Sequence, residues 1–407
     1  MFSTRKLSPY HLSRTQLMEL DACTRCGECV TVCPATTETG NEYNSARGRI
    51  RLIKSYANAM YGPSAMLFGP KRKKADEILS NLVDYSYQCS VCGICKEVCE
   101  ARIDTIELWE AFRAELVKLG KGPLPRHAGF TPRIKVKHNP YDELPENRPN
   151  WLPPDIKPVD KAEIGFFAGC TSSYKTKWFA VNFAKILDKF NVKFTYLGPE
   201  EYCCCSPLIR TGLLDIAKDT IVHNVESFAA RGVQRVVTPC AGCFRTGTID
   251  WPRFYGKRLP FEMVHATQFI AELIDSGRVK YVKKLDDVLT YHDPCHLGRH
   301  VGVFEEPRKI LENLPIKGFI EMENNRSNSR CCGAGGGLKS GVPDLALNIA
   351  KRRVDEAIAT KASMLTTSCP FCVVNFNDAI KAINTKLKLK DLIDLFAELT
   401  GAIPSSS

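Results

Sequence analysis

The sequence lacks the long apolar stretches that membrane insertion or export needs. No run approaches the roughly eighteen consecutive apolar residues of a membrane-spanning helix. The N-terminal stretch MFSTRKLSPYHLSRTQ has no apolar core of the signal-peptide kind. We therefore expect that the chain does not cross a membrane by itself, and we do not expect a disulfide-rich secreted domain.

Nucleotide-binding motifs are also missing. In the Gly-rich stretch GAGGGLKSG, Leu338 stands where a P-loop has its second glycine, and no G-x-G-x-x-G register is met. The stretch predicts a flexible turn, with no NAD or flavin site. The formal charge of +11 suits an acidic partner, an anionic substrate or a membrane surface, and equally an ordinary solvated basic surface. Nothing beyond that charge points to nucleic acid.

Cysteine is what the chain has in excess, with 19 residues among 407. Because the number is odd, complete internal pairing is excluded. Cys203, Cys204 and Cys205 are adjacent, and neighbouring Cα atoms, about 3.8 Å apart, lie closer than disulfide geometry usually allows. At 44% hydrophobic residues the chain can bury ordinary cores. The cysteines are therefore predicted to be metal ligands.

Three blocks follow one another along the chain. Residues 1–120 hold two cysteine clusters separated by helical sequence, in which Ser45 is positioned as a cap and Gly120 as a helix end. Residues 121–160 contain nine of the 24 prolines and are predicted to form an extended linker that wraps or spaces rather than packs. Residues 161–285 and 286–407 are predicted to form two further domains.

From Glu163 onward, strand-like and helix-like stretches alternate, which is typical of parallel α/β units. The order EIGFFAGC, KWFAVNFAKILDKF, VKFTYLG, DIAKDTIVHNVESFAARG and VQRVVTPCAGC is followed by DVLTYHDPC, PRKILENL, GFIEME, LALNIAKRRVDEAIATKA and SMLTTSCPFC. Cysteines repeat with these stretches at offsets of 125 to 129, in the pairs Cys170–Cys295, Cys203–Cys331, Cys240–Cys369 and Cys243–Cys372. Near-constant offsets indicate an internal repeat. In this register Cys205 falls at Gly333, so we interpret the third adjacent cysteine as a residue of a tight turn rather than a ligand.

Both N-terminal clusters, CTRCGECVTVCP and CSVCGICKEVC, have the C-x2-C-x2-C-x3-C spacing of two-cluster bacterial ferredoxins. In that arrangement three thiolates of a tight loop hold one cubane and the fourth cysteine reaches the other. One [4Fe–4S] cluster is predicted on Cys23, Cys26, Cys29 and Cys99. The second is predicted on Cys89, Cys92, Cys95 and Cys33. Two zinc sites fit less well, because zinc ribbons use paired C-x2-C knuckles.

Each later repeat offers five thiols, one more than a cubane needs. The first array consists of Cys170, Cys203, Cys204, Cys240 and Cys243. The second array consists of Cys295, Cys331, Cys332, Cys369 and Cys372. Because several of these cysteines follow strands, we expect them outside the carboxyl ends of the strands, where α/β folds bind ligands. Five soft ligands suggest an unusual cluster in which one sulfur bridges irons.

The motifs HDPCHLGRH, RCCGAGGG and SCPFC closely match those of the cysteine-rich CCG domain family. FAGC, EYCCCSPLIRTG and TPCAGC match them except for Cys205 at the motif glycine. Along nearly all of its length the chain resembles the D subunits of heterodisulfide reductases from methanogenic archaea, in which a ferredoxin-like domain is fused to two CCG domains. The predicted fold class is α+β overall, with a mostly helical ferredoxin-like two-[4Fe–4S] domain followed by two repeated α/β CCG domains.

The resemblance implies that each five-cysteine array binds a noncubane [4Fe–4S] cluster and that the two arrays form the catalytic centre. It implies an enzyme, an oxidoreductase acting on a sulfur group, that reduces the mixed disulfide of coenzyme M and coenzyme B. It also implies that electrons come from a membrane cytochrome b subunit linked to methanophenazine. The chain is then expected to be cytoplasmic and peripheral at the membrane through that subunit.

Two alternatives stay open. The first is an iron–sulfur relay subunit, like the partners of anaerobic glycerol-3-phosphate or glycolate dehydrogenases, with no substrate of its own. Many such relatives have lost cysteines from one CCG domain, whereas both sets are complete here. The second is a thiol–disulfide subunit of a sulfate-reduction complex, which shares the same metal chemistry.

The anionic groups of such a substrate predict a basic pocket. Four cations near cluster ligands in the sequence are candidates for anion contacts, with a surface or scaffold role as the alternative: Arg210, Arg245, Arg299 and Lys339. His292 and His296 flank Cys295 and are candidates for proton delivery. A packed or hydrogen-bonded histidine is the alternative for either residue.

Overall fold

A computed structural model of the chain describes residues 12–404. The prediction about the N-terminal stretch falls largely on residues 1–11, which lie outside the described residues. Contacts divide the chain into two compact units. The first unit comprises Met1–Ala128, Pro207–Leu214 and Arg330–Ala350, and the second comprises Gly129–Ser206, Asp215–Ser329 and Lys351–Ser407. The predicted boundaries of three domains and a linker remain a prediction.

The helices of the first half are α1 (Arg14–Ala22), α2 (Glu28–Thr31), α3 (Pro34–Thr39), α4 (Ala46–Tyr61), α5 (Pro63–Phe68), α6 (Arg72–Tyr87), α7 (Ile94–Glu97), α8 (Thr105–Lys118), α9 (Pro125–Ala128), α10 (Phe130–Lys137), α11 (Cys170–Tyr174) and α12 (Lys177–Lys189). Those that follow are α13 (Ser206–Thr211), α14 (Ala217–Ala230), α15 (Ala241–Arg245), α16 (Trp251–Tyr255), α17 (Ala266–Asp275), α18 (Glu305–Asn313), α19 (Leu338–Gly341), α20 (Pro343–Ala359), α21 (Pro370–Ile383) and α22 (Leu392–Leu399). The strands are β1 (Ile164–Phe166), β2 (Phe194–Tyr196), β3 (Arg235–Thr238), β4 (Glu262–His265), β5 (Leu285–His292), β6 (Ile316–Phe319), β7 (Met364–Thr367) and β8 (Lys388–Asp391). Turns of 3₁₀ type cover Glu42–Asn44, Pro145–Trp151, Gly198–Glu200 and Arg326–Asn328, and a π-helical turn covers Thr246–Asp250.

In the first unit, helices pack around one apolar core, in which Leu82, Tyr87 and Leu116 are fully buried. The Ser45 hydroxyl accepts the backbone N–H of Gly48, 3.1 Å away, and so caps α4 as predicted. Helix α8 ends just before Gly120, whose φ of +69° lies in the left-handed region. Both predicted helix termini are therefore confirmed.

The second unit contains two four-stranded sheets of identical topology. Their strand orders are β2-β1-β3-β4 and β6-β5-β7-β8. Every pairing in both sheets is parallel. Phe166 and Val237 of one sheet and Leu289 and Met364 of the other belong to one hydrophobic core. The predicted repeat of α/β units is confirmed, and so is the α+β fold class.

The predicted strands are wrong in two respects, the position of one strand and the absence of two others. Strand β6 covers Ile316–Phe319, so that the predicted strand GFIEME overlaps it by two residues only. Strands β4 and β8, the fourth strand of each sheet, were not predicted. Each is four residues long, and β8 reads KLKD with only its last residue buried, so neither shows a clear apolar pattern.

The Pro-rich segment 121–160 packs, and the expectation that it only wraps or spaces is wrong. Helix α10 buries Ile134, and the 3₁₀ turn Pro145–Trp151 buries Arg148 and Trp151. The indole Nε1 of Trp151 donates to the hydroxyl of Tyr196, 3.1 Å away. Prolines fix φ but do not prevent burial of the side chains between them. A high proline content is therefore compatible with a segment that packs against the rest of the protein.

Within the described residues, no helix combines the length and apolar character needed to cross a bilayer.

Candidate metal centres

Two cavities of the first unit are lined by the ferredoxin-type cysteines. One cavity is lined by Cys23, Cys26, Cys29, Cys95 and Cys99. The other is lined by Cys33, Cys89, Cys92 and Cys95. In both, the last cysteine of one motif joins the first three of the other. This grouping matches the predicted exchange of the fourth ligand, and the ligand assignment itself stays a prediction.

Left-handed glycines shape both loops. Gly27 has a φ of +102° and Gly93 a φ of +80°, and each begins a four-residue helix, α2 or α7. The sharp turn lets the three thiols of one motif converge. Two backbone N–H groups point at sulfur, with Val91 N 3.3 Å from the Cys89 Sγ and Arg47 N 3.3 Å from the Cys29 Sγ. Such N–H groups stabilise thiolates.

Two buried arginines lie beside Cys89 and were not found from the sequence. Arg49 stacks on Trp109, with its Cζ 4.4 Å from the ring centroid, and hydrogen-bonds with the Cys89 side chain. Arg113 donates to the carbonyl oxygens of Cys89 at 2.6 Å and Gly336 at 2.7 Å. Burial by itself raises the pKa of Cys89, but Arg49 and then Arg113 outweigh it and lower that pKa. The site thus favours a thiolate at Cys89.

A short connection within the first unit joins a ferredoxin motif to the second five-cysteine array. Ser90 follows Cys89 directly, and its Oγ lies 3.3 Å from the Sγ of Cys331. The backbones approach closely here, since a Cβ added at Gly336 would lie 2.5 Å from the Ser90 carbonyl carbon. Gly336 has a φ of +64°. Glycine is therefore required at this position for both reasons.

The first array lies entirely in the second unit, and its thiols form a continuous chain of contacts. Cys203 hydrogen-bonds with Cys170 and Cys204, and Cys243 with Cys204 and Cys240. The Sγ atoms of Cys204 and Cys243 are 3.4 Å apart. Cys170 follows β1 and Cys240 follows β3, which are neighbouring parallel strands. The five cysteines thus meet at the carboxyl end of the sheet, as predicted.

These thiols fit an iron–sulfur cluster. Hydrogen bonding to neighbouring thiols and burial raise the pKa of Cys203 well above its usual range, and the same causes act on Cys243. Hydrogen bonds from Cys243 and then Cys369 lower the pKa of Cys240. Five buried sulfurs that share protons form a soft donor set. A soft metal cation that replaces those protons balances the negative charge of the thiolates, so that burying them no longer costs free energy.

Arg148 and Glu201 support Cys170, and no sequence motif pointed to either residue. Arg148 Nη1 donates to Glu201 Oε1 at 2.7 Å, and its Nη2 lies 3.4 Å from the Cys170 Sγ. The Glu201 carboxylate also accepts the backbone N–H groups of Ala168 and Gly169, both at 2.9 Å. Burial raises the pKa of Glu201 to about 7, against the effect of Arg148 and the two N–H groups. The pair fixes the loop that presents Cys170.

Cys205 occupies a left-handed turn position. Its φ is +72°, and that of Gly333 in the second repeat is +77°. In both turns the backbone N–H bonds to a sulfur two residues earlier: Cys205 N is 3.4 Å from the Cys203 Sγ, and Gly333 N is 3.3 Å from the Cys331 Sγ. The Cys205 thiol donates to the carbonyl oxygen of Ala217, 3.7 Å away. This geometry supports the interpretation of Cys205 as a turn residue.

The second array is distributed over both units. Cys331 and Cys332 belong to the first unit, and Cys295, Cys369 and Cys372 to the second. Within the second unit the two repeats meet through sulfur, because Cys240 hydrogen-bonds with Cys369. Cys369 follows β7 as Cys240 follows β3, so equivalent strand ends of the two sheets provide this contact.

Most of the candidate substrate-binding cations are engaged by protein groups. Arg210 pairs with Glu110 at 2.7 Å, and Arg245 pairs with Asp250. Arg299 donates to the carbonyl oxygen of Ser327 at 3.1 Å. These contacts favour the scaffold alternative for all three arginines. Lys339 is half-buried in the first unit.

The two candidate histidines differ in their surroundings. His292 is buried, and its Nδ1 accepts from Arg353 Nε at 3.2 Å while its ring meets Phe376 edge-on. This favours a packed role for His292. The ring of His296 lies 4.6 Å from that of His300. A Cβ added at Gly242, between Cys240 and Cys243, would lie 3.7 Å from His296 Nδ1, so this imidazole faces the first array.

Comparison with known proteins agrees with these observations. The family described as "4Fe-4S dicluster domain" matches residues 19–103, and "Cysteine-rich domain" matches residues 164–246 and 289–377. A crystal structure of a hypothetical protein from Helicobacter pylori aligns with a TM-score of 0.58 at 11% identity, covering 96% of this chain and 73% of that one. That likeness concerns the fold alone.

Relatives in methanogenic archaea are much more similar in sequence. The chain is 45% identical over 402 residues to the D subunit of the dihydromethanophenazine:CoB–CoM heterodisulfide reductase of Methanosarcina barkeri, with 98% of each chain covered. It is 32% identical to the B subunit of the fumarate reductase (CoM/CoB) of Methanothermobacter marburgensis, covering 89% of this chain and 68% of that protein. With such identity along nearly its full length, the chain belongs to the family of heterodisulfide reductase D subunits and is an iron–sulfur oxidoreductase.

Proposed function

We propose that the chain is the catalytic subunit that reduces the mixed disulfide of coenzyme M and coenzyme B to two thiols. The observation that carries this proposal is that both repeats keep all five cysteines and contact each other through Cys240 and Cys369. A subunit that only relays electrons does not need two complete arrays that meet at sulfur. The D subunits of the Methanosarcina enzymes carry this disulfide in their names.

The cysteines are assigned as predicted. The ferredoxin-type motifs hold two cubane [4Fe–4S] clusters, and the two five-cysteine arrays hold two noncubane [4Fe–4S] clusters. When bound, the clusters supply single electrons and a Lewis acid for the leaving sulfur. Ser90 supports an electron route between the two kinds of site. It follows Cys89 directly in the chain, and its Oγ lies 3.3 Å from the Sγ of Cys331.

The protein supplies protons and fixes the geometry. Cleavage of one S–S bond takes two electrons and two protons and yields two thiols. We assign proton delivery to His296, whose Nδ1 faces the loop between Cys240 and Cys243. Arg148 and Glu201 hold the Cys170 loop, and Arg353 holds His292 through a hydrogen bond of 3.2 Å. We assign a positioning role to Arg148, Glu201, Arg353 and His292.

The electron donor in this proposal is a membrane cytochrome b subunit that takes electrons from a dihydromethanophenazine-type carrier. The chain then lies on the cytoplasmic side, peripheral at the membrane through that subunit. Dihydromethanophenazine is part of the names of the two Methanosarcina relatives, which match 98% of this chain.

An anaerobic assay of the iron-loaded chain tests the proposal. Reduced viologen serves as donor and the coenzyme M–coenzyme B disulfide as acceptor, with each homodisulfide as a control. We expect dye oxidation that depends on the mixed disulfide. Absence of turnover in a preparation with all four clusters present contradicts the proposal and favours a relay subunit or another disulfide.

A His296→Gln variant tests the proton role separately. It should keep its iron and its visible spectrum, while turnover falls about a hundredfold and the pH profile loses a limb near neutral pH. A His300→Gln variant is the matched control from the neighbouring ring. Equal effects of both substitutions count against a specific role for His296.

A further inference from the structure

The tip of a helical hairpin in the first unit is unusually exposed. Helices α4 and α6 pack against each other, and α5 with the residues after it forms the connection between them. All nine residues from Met66 to Lys74 are exposed. From Met66 onward, this connection does not return its apolar side chains to the core.

Three of these residues are large and apolar. Met66, Leu67 and Phe68 are 83%, 78% and 86% exposed, and among the described residues no large hydrophobic side chain is more exposed. Single exposed apolar residues are common on protein surfaces. Three in succession form an exposed apolar surface of the kind that marks interaction sites.

Four cations follow the apolar residues. Lys71, Arg72, Lys73 and Lys74 are consecutive and exposed. The sequence contains no acidic residue from Ser55 to Ala75, and the exposed Asp76 and Glu77 that follow on α6 offset part of this charge. Apolar side chains therefore lie at the end of the hairpin, next to four consecutive cations at the start of α6.

The tip has a fixed backbone. The N–H of Lys71 donates to the carbonyl oxygen of Ala59 at 3.0 Å, and that of Met66 donates to Gly62 at 2.9 Å. Ala65 is buried and anchors α5. A Cβ added at Gly62 would lie 1.9 Å from Asn58 Oδ1, so the entry to α5 is tight. The apolar residues are thus held in place away from the core.

We infer that this tip, Met66–Lys74, binds the surface of an anionic lipid bilayer. The three apolar side chains enter the boundary between headgroups and acyl chains, and the four cations contact lipid phosphates. Apolar residues next to a basic cluster are the combination that interfacial binding needs, because neither signal alone gives stable attachment. The inference is independent of the disulfide chemistry and of any partner subunit.

The composition of the tip distinguishes a bilayer from other anionic partners. A nucleic acid gains from the cations but offers no apolar phase for Met66, Leu67 and Phe68. A second copy of the chain brings four cations of its own to the same surface, and these repel. A bilayer with anionic headgroups accepts both parts of the surface at once.

Co-sedimentation of the anaerobic, iron-loaded chain with vesicles tests the inference. The vesicles consist of phosphatidylcholine alone or of phosphatidylcholine mixed with phosphatidylglycerol. We expect binding to the anionic vesicles, weaker binding at high salt and little binding to phosphatidylcholine alone. Visible absorption and iron content are recorded for every variant as evidence of folding.

Four variants locate the surface. Neutralising Lys71, Arg72, Lys73 and Lys74 to Gln should weaken binding by about a hundredfold or more, and Met66→Ser with Leu67→Ser and Phe68→Ser by about tenfold or more. The matched control neutralises Arg278, Lys280, Lys283 and Lys284, four cations of the second unit, and should leave binding nearly unchanged. Phe68→Ser alone is the milder variant if the triple substitution does not fold.

Several outcomes overturn the inference. Equal loss of binding in the control variant means that net charge alone is responsible. Binding to native membranes but not to protein-free vesicles means that the partner is a membrane protein. A change of oligomeric state in the apolar variant without lipid means that the tip joins copies of the chain. Failure of the disulfide assay leaves this test unaffected, because vesicle binding is measured without turnover.

Discussion

The Oγ of Ser90 lies 3.3 Å from the Sγ of Cys331, although the two residues are 241 positions apart in the sequence. Ser90 follows the first cysteine of a ferredoxin motif, and Cys331 begins the cysteine pair of the second repeat. Arg113 stabilises the same region by donating to the carbonyl oxygens of Ser86, Cys89 and Gly336. A buried guanidinium that satisfies several carbonyl groups at once keeps this contact rigid.

The first prediction concerns this contact. A thiolate sulfur only accepts hydrogen bonds, so the Ser90 hydroxyl donates once Cys331 binds metal. Removing the hydroxyl with Ser90→Ala should lower the reduction potential of the cluster that we propose for the second array, because hydrogen bonds to sulfur stabilise the reduced state. Potentiometric titration followed by EPR measures the shift. Ser90→Thr should retain the potential, and Ser80→Ala, an exposed serine of α6, is the control. An unchanged potential in Ser90→Ala would show that the hydroxyl does not bind the sulfur.

The second prediction concerns the third adjacent cysteine. Cys205→Gly should keep full iron content and activity, because glycine suits a φ of +72° and the Cys205 thiol is directed to backbone oxygens. Iron analysis and the dye-linked assay measure both quantities. Loss of iron would identify Cys205 as a sixth ligand.

Its control is the equivalent position of the second repeat. A Cβ added at Gly333 would lie 2.4 Å from the carbonyl oxygen of Ala346. The φ of Gly333 is +77°, which is also unfavourable for any residue with a Cβ. Gly333→Ala should therefore lower the free energy of unfolding by about 2 kcal/mol or more. Cysteine is therefore tolerated in one turn and not in the other, because only the first turn leaves room for a side chain.

The sequence revealed those parts of the site that depend on spacing. The ferredoxin motifs, the offset of the two arrays and the turn position of Cys205 all follow from residue numbers. Arg148 lies 22 positions from Cys170 in a segment rich in proline, and its role depends on how that segment packs. Ser90 and Arg113 likewise act through contacts between distant segments. Strands β4 and β8 were missed because four-residue strands at a sheet edge show no periodicity.

The third prediction concerns the buried ion pair beside Cys170. Arg148 and Glu201 are both almost completely buried. At alkaline pH, Arg148→Met leaves the Glu201 carboxyl either ionised without its partner or forced to take up a proton, and should cost about 3 to 5 kcal/mol of stability. The double variant Arg148→Met/Glu201→Gln should be more stable than Arg148→Met alone, because no charge remains buried. Denaturant unfolding under anaerobic conditions measures the difference, with iron content as a second readout.

An equal loss in the single and double variants would contradict this account. In that case the packing of Arg148 against Tyr174, whose ring centroid lies 5.2 Å from the Arg148 Cζ, would dominate over charge. Arg148→Lys separates the two contributions further, since lysine keeps the charge but loses the second nitrogen that reaches Cys170.

The last prediction concerns pH and a buried carboxyl group of α22. Asp394 of α22 is buried, and its carboxylate accepts from Asn182 Nδ2 at 2.7 Å. Burial raises the pKa of Asp394 to about 6, with the hydrogen bond from Asn182 opposing. The folded chain therefore binds this proton more tightly than the unfolded chain does. The resulting stability is fully present below the unfolded pKa near 4 and is lost as the pH rises through about 6.

Replacing Asp394 by Asn removes the contribution of this carboxyl group while keeping a group that bonds to Asn182, and the buried Asp391, whose pKa burial and Asp394 also raise, stays in place. The stability of Asp394→Asn relative to the unsubstituted chain should rise by about 2 to 3 kcal/mol as the pH increases from the acidic side to neutrality. Melting temperatures measured anaerobically across that range provide the test. Asp286→Asn, at a side chain that is 92% exposed, is the control and should show no such trend. A constant difference between Asp394→Asn and the unsubstituted chain would mean that Asp394 is charged throughout, and that its bond to Asn182 outweighs the cost of burial.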